Sequence, residues 1–181
     1  MRRFLVVPLL AVSALALVVP AGAAAPAPYC GIRWGSLPKH NATMTGSPVV
    51  NVRSGRHACF DRLVVDLGAQ PVAGYSVEYV PQVVQDGSGE PVALAGGAFL
   101  NFVVRAPAYD EDSVTYLPAD QAHVVNVAGY RTFRQVAWAG SFEGQTTLGI
   151  GVRARLPFRV FTLNGPGSQS RVVVDVAHRW S

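Results

Sequence analysis

Residues 158–176 read FRVFTLNGPGSQSRVVVDV, two short apolar strands around a turn rich in Gly, Pro and Ser. The second strand, Arg171-Val172-Val173-Val174-Asp175-Val176, nearly repeats an earlier one, Arg62-Leu63-Val64-Val65-Asp66-Leu67. Alternate side chains of a strand share a face. Arg62, Val64 and Asp66 therefore line one face of the first, and Arg171, Val173 and Asp175 line one face of the second. If the two pair antiparallel in register, Arg62 opposes Asp175 and Asp66 opposes Arg171, on either side of a Val64–Val173 pair. Each such charge pair contributes about 0.2–1 kcal/mol and opposes slippage of the register.

Outward from this pair the chain keeps the same style. Short β-like runs fall at 49–53, 60–67, 75–80, 92–94, 99–105, 133–138, 146–153, 158–163 and 171–176, with turn residues between them. No stretch carries a helical period. This spacing predicts an all-β chain, an antiparallel β-sandwich of about eight or nine short strands. Residues 106–129 are less regular and hold Pro107, Pro118 and the acidic run Asp110-Glu111-Asp112; one short helical turn fits within 106–128. In 146–153, Leu148, Ile150 and Val152 share a face while Gly149 and Gly151 sit opposite. Glycines there allow close approach of another backbone, or a bulge.

The N-terminus predicts export. Arg2 and Arg3 precede an apolar run at 4–19, and Ala21-Gly22-Ala23 forms an A-x-A cleavage site. Residues 1–23 are thus expected to be a signal peptide, with the mature protein secreted, extracellular or bound to the cell wall. The apolar run is short for a membrane span, and no second one is long enough, so the mature chain is expected to have no membrane span. Residues 24–48, rich in Ala, Pro, Gly and Ser, read as a linker and an irregular segment, and 49–178 as the folded domain.

Arg2 and Arg3 supply half of the formal net charge of +4. What remains is spread along the chain without a basic block, which gives no support to nucleic-acid binding. Cys30 and Cys59 are the two cysteines, and in an exported chain they are expected to form one disulfide. It would close a loop of about 30 residues, contribute ~3–4 kcal/mol in the chain-entropy treatment, and tether the irregular segment 31–48.

Several stretches carry a family resemblance. Residues 158–163 and 171–176, with the turn between them, resemble the closing strands of AMIN domains, and FDRLVVDL at 60–67 resembles their opening strand. GYSVEYV at 74–80, DGSGEPV at 86–92, APAYD at 106–110, FEG at 142–144 and PFRVF at 157–161 extend it. The span from about Val49 to His178 is similar to the AMIN-like domain of secreted actinobacterial proteins. The resemblance implies a β-sandwich without catalytic activity that binds the cell envelope, with peptidoglycan or another cell-wall glycan as ligand. The alternative is an interaction module for another envelope protein. The span is longer than a minimal AMIN domain, chiefly between Gln82 and Gln145, and no amidase or secretin domain is expected within residues 1–181.

No enzyme motif offsets this reading. His40, His57, His123 and His178 lack metal-ligand spacing, and no G-x-S-x-G element or phosphate-cradling loop is present. No catalytic residue, cofactor or metal site is therefore assigned. Asp110, Glu111 and Asp112 offer clustered oxygens for calcium but not an EF-hand spacing; a solvated acidic loop is the plainer reading. Tyr109, Tyr116, Tyr130 and Trp138 lie in or beside the irregular section and are candidates to stack on sugar faces, against the plainer reading of core packing. Arg131 and Arg134 are candidates for muropeptide carboxylates, against solvated strand arginines.

Overall fold

The alternation in the sequence is realised as two stacked antiparallel sheets. The computed structural model describes residues 27–180, so the expected signal peptide lies outside the described residues. The strands are β1 (Lys39–Asn41), β2 (Val49–Arg56), β3 (Phe60–Leu67), β4 (Tyr75–Val80), β5 (Val83–Val84), β6 (Pro91–Val92), β7 (Ala98–Val104), β8 (Phe133–Phe142), β9 (Gln145–Val152), β10 (Phe158–Asn164) and β11 (Ser170–Ala177). One sheet has the order β1-β4-β7-β9-β8, the other β10-β11-β3-β2, and β5 and β6 form a separate ribbon.

Two expectations need correction. The strand count exceeds eight or nine because β1 and β5 are short pieces without apolar alternation, held by pairing to β4 and β6. No helical turn forms in 106–128; a single 3-10 turn lies instead at Tyr29–Gly31. In the middle section, Asp110, Asp120 and Asn126 each accept a hydrogen bond from a backbone N–H two residues on. Such local bonds satisfy the backbone in place of helical ones.

The β3–β11 register is the one the near-repeat predicts: Arg62 opposes Asp175, Val64 opposes Val173 and Asp66 opposes Arg171. Arg62 forks onto Asp175 with Nε–Oδ1 at 2.6 Å and Nη2–Oδ2 at 2.9 Å. Arg159 of β10 joins them, with Nε at 2.7 Å from Asp175 Oδ2. The second expected pair is aligned but forms no ion pair. Asp66 accepts from Arg53 Nε at 2.8 Å and from Asn51 Nδ2 at 3.1 Å, both on β2. Arg171 Nε is buried without a partner. Since β3 lies between β2 and β11, Asp66 has cationic neighbours on both sides and turns toward β2.

Between the sheets, Leu63, Val65, Leu67, Val172, Val174 and Val176 meet Val77, Leu100, Phe102, Val104, Leu148 and Ile150, all fully buried. Burial of each stabilises the fold by about 1.5–3 kcal/mol. Outside β9 the chain crosses closely. A Cβ at Gly149 would lie 2.8 Å from Leu94 Cδ1, and one at Gly151 would collide with the Ala95 carbonyl oxygen, so the glycine positions serve the close approach their pattern suggests. Cys30 and Cys59 form the expected disulfide, which holds Tyr29 to Trp34 against the β10–β11–β3–β2 sheet; Trp34 packs on Phe60 at 5.9 Å.

Candidate functional site

The start of β8 is fixed from below by a buried carboxylate. Asp61, on β3, is fully buried, and its Oδ2 accepts hydrogen bonds from Thr132 N at 2.6 Å and Phe133 N at 3.0 Å. Its Oδ1 lies 3.1 Å from Nε2 of His178, just past the end of β11. The chain approaches through a turn in which Tyr130 N donates to Val127 O at 3.1 Å. Tyr130 is then clamped: its ring stacks on Phe133 at 6.1 Å and its hydroxyl lies 2.9 Å from Ser54 Oγ. Arg134 folds back, donating to Tyr130 O at 3.2 Å and Phe133 O at 2.9 Å.

Two clefts open on either side of Tyr130 and Arg134. One, of about 620 Å³, is walled by the loop from His123 to Gly129. The other, of about 560 Å³, is lined by Tyr29, Tyr130, Arg131, Arg134, Arg153, His178 and Arg179. The Arg153 guanidinium donates to His178 O, and that of Arg179 stands 4.6 Å over the Tyr29 ring. No Asp or Glu lines this second cleft. Among the described residues, none of its four arginines forms an ion pair. Guanidinium groups left without carboxylates, partly stacked on tyrosine, suit planar anions through forked hydrogen bonds.

The sequence candidates divide between regions. Tyr130, Arg131 and Arg134 come together at the clefts. Trp138 is 8 % exposed and packs in the core, and it also lines a separate small cavity of about 200 Å³ with Gln121 and Ala137, away from the arginine cluster. Tyr116 is half-buried and packs against Trp138 at 5.8 Å. Tyr109 is exposed, and its hydroxyl accepts from Gly144 N at 3.0 Å beyond the far end of β8, ~30 Å from the clefts at the usual rise per residue. The acidic run stays local: Asp110 Oδ1 accepts from the backbone N–H groups of Asp112 and Ser113, which hold its carboxyl below the usual range.

Sequence reading missed Tyr29, Arg153, His178 and Arg179. A signal was present for three of them. The β3–β11 register sets Ala177 opposite Phe60, hence His178 and the following Arg179 beside Cys59, and the disulfide brings Cys30 with its neighbour Tyr29 to the same place. Arg153 has no comparable signal.

The second cleft of this β-sandwich thus gathers four arginines and two tyrosines. The AMIN-like domain model matches residues 47–178, and the chain belongs to the AMIN-like family. Among curated proteins no significant match is found. The family places the chain among envelope-associated modules of a generally non-catalytic kind. Together with the disulfide it marks an extracytoplasmic protein. Among the described residues no helix is long and apolar enough to cross a membrane.

Proposed function

We propose that this chain is a secreted, cofactor-independent module that binds the cell wall, peptidoglycan or a wall polysaccharide, through the clefts around Tyr130, Arg131 and Arg134. The observation that carries this reading is the cluster of arginines without carboxylate partners beside a fixed tyrosine ring. Wall polymers combine acidic groups with sugar faces, and guanidinium forks and aromatic rings are complementary to those two features. Retention of the pure protein on insoluble cell wall tests it. Retention at low salt that weakens as salt screens the arginines is expected, as is loss of binding in an Arg131→Gln/Arg134→Gln double variant. Absence of retention at low salt overturns the reading.

The protein-partner alternative has its own observation. Met44, Tyr109 and Phe142 are 49 %, 37 % and 50 % exposed near the β8–β9 turn, where Met44 and Tyr109 both approach Gly144. Co-purification of a single envelope protein, without wall retention, would favour that reading.

A further inference from the structure

We propose that the free edge of β10 pairs with β10 of a second copy of this chain, joining the two β10-β11-β3-β2 sheets into one continuous antiparallel sheet.

β10 is the last strand of its sheet and is paired to β11 on one side alone. The turn beyond it fixes which amides face outward. Gly165 N donates to Gln169 O, so the pairs that exchange bonds across β10 and β11 are 163 with 171, 161 with 173 and 159 with 175. Phe158, Val160, Thr162 and Asn164 therefore turn their backbone N–H and C=O groups away from β11. The first of them is already paired, since Phe158 N donates to Gly35 O at 2.8 Å. Among the described residues, Val160, Thr162 and Asn164 have no backbone partner on that side. The open lane thus runs from Val160, where the cover from Gly35 ends, to Asn164, where the turn begins. Thr162 is its midpoint.

The sequence of this lane is complementary to itself. Antiparallel pairing about a two-fold axis at Thr162 sets Thr162 against Thr162, and Val160 against Asn164 of the second copy, each pair exchanging both backbone bonds. Between them Phe161 stands opposite Leu163 of the second copy, at the closer spacing of a pair without backbone bonds. Leu163 is 38 % exposed in the single chain and gains an apolar neighbour there. Residues 160–164 carry no charge, so no like charges meet. Arg159 falls opposite Gly165 and is already bound to Asp175. Lys, Pro and bulges, the devices that block edge pairing, are absent from the stretch. The opposite edge, β2, differs. Tyr130 stands against it, with its hydroxyl 2.9 Å from Ser54 Oγ and its ring 5.9 Å from the Arg56 guanidinium. Pairing through β10 leaves Tyr130 on the far side of the sheet, so the dimer presents two such sites.

A lane this short buries less than a stable interface needs, so the association is weak and depends on concentration. Sedimentation of the mature protein from about 10 μM to 1 mM tests it. Monomer should give way to dimer, without weakening in salt, because the contact is uncharged. Thr162→Pro removes an outward N–H and no bond to β11. It should unfold close to the parent's urea midpoint and dimerise about tenfold more weakly or worse. Two further variants read the register. Both cysteines are in the disulfide, so an added one is the only thiol. Thr162→Cys meets itself with Cα atoms about 5.5 Å apart, within disulfide range, and should form a covalent dimer on mild oxidation. Asn164→Cys, which faces Val160, should not. Monomer across the whole range overturns the proposal. So does a dimer that dissolves in salt, a dimer that Thr162→Pro leaves intact, or equal crosslinking of the two cysteine variants.

Discussion

Asp61 Oδ1 and His178 Nε2 lie 3.1 Å apart in a buried contact between residues separated by 117 positions. Through its second oxygen the same carboxylate holds the amides of Thr132 and Phe133. One side chain of β3 thus joins the start of β8 to His178 just past the end of β11, and His178 lines the arginine cleft.

Removing that carboxylate should loosen both. Asp61→Ala leaves two buried N–H groups and the imidazole without their acceptor, and is expected to cost about 3–5 kcal/mol, at ~1–3 kcal/mol for each buried group left unsatisfied. Urea unfolding measures the loss. Amide exchange at Thr132 and Phe133 should accelerate most, and unchanged exchange there would contradict the assigned role.

Asp175 is fully buried between Arg62 and Arg159. Either arginine alone still neutralises it, so Arg62→Ala and Arg159→Ala should each be mild. The double variant leaves a buried carboxylate unpaired and should lose about 3–5 kcal/mol. A double-mutant cycle by urea unfolding should therefore show a loss exceeding the sum of the singles by ~1 kcal/mol or more.

Burial pushes the Asp86 carboxyl above its ordinary range, offset in part by the nearby Thr147 hydroxyl. That offset falls short of a full hydrogen bond, since Asp86 Oδ2 and Thr147 Oγ1 are both buried without a partner. The folded state then holds this proton more tightly than the unfolded chain. Its stabilising contribution is present at low pH and is lost as pH rises from the unfolded toward the folded value. Asp86→Asn should flatten this fall and be more stable than the parent at neutral pH. Urea midpoints measured for both proteins at acidic and neutral pH check it; a parent that gains as much from Asn in acid as at neutrality would refute the claim.

The disulfide links positions 29 residues apart and places Tyr29 beneath Arg179. Replacing both cysteines by serine should cost ~3–4 kcal/mol in the chain-entropy treatment. Wall retention should also weaken, because one side of the cleft is released. Urea curves with and without reductant separate the two effects, since reductant should shift only the parent.

How far the sequence reaches is clearest on β3. Its alternation and charges set the register with β11, and Arg62 meets Asp175 as the near-repeat implies. The partner of Asp66 was not legible, because comparing two strands says nothing of a third, and β2 supplies Arg53. The site behaves alike. Tyr130, Arg131 and Arg134 stand close in sequence and were found together, whereas Trp138, four residues beyond Arg134, turns into the core.

By itself the sequence determined the all-β class, the β3–β11 register and the cysteine pair. These follow from side-chain alternation, opposite charges and a count of thiols, all of which are local or pairwise properties. Only the tertiary structure decided that Tyr29, Tyr130, Arg153 and His178 share one cleft. Those residues sit on four separate segments with no common period. What brings them together is the stacking of two sheets and one buried carboxylate that accepts hydrogen bonds from both β8 and His178.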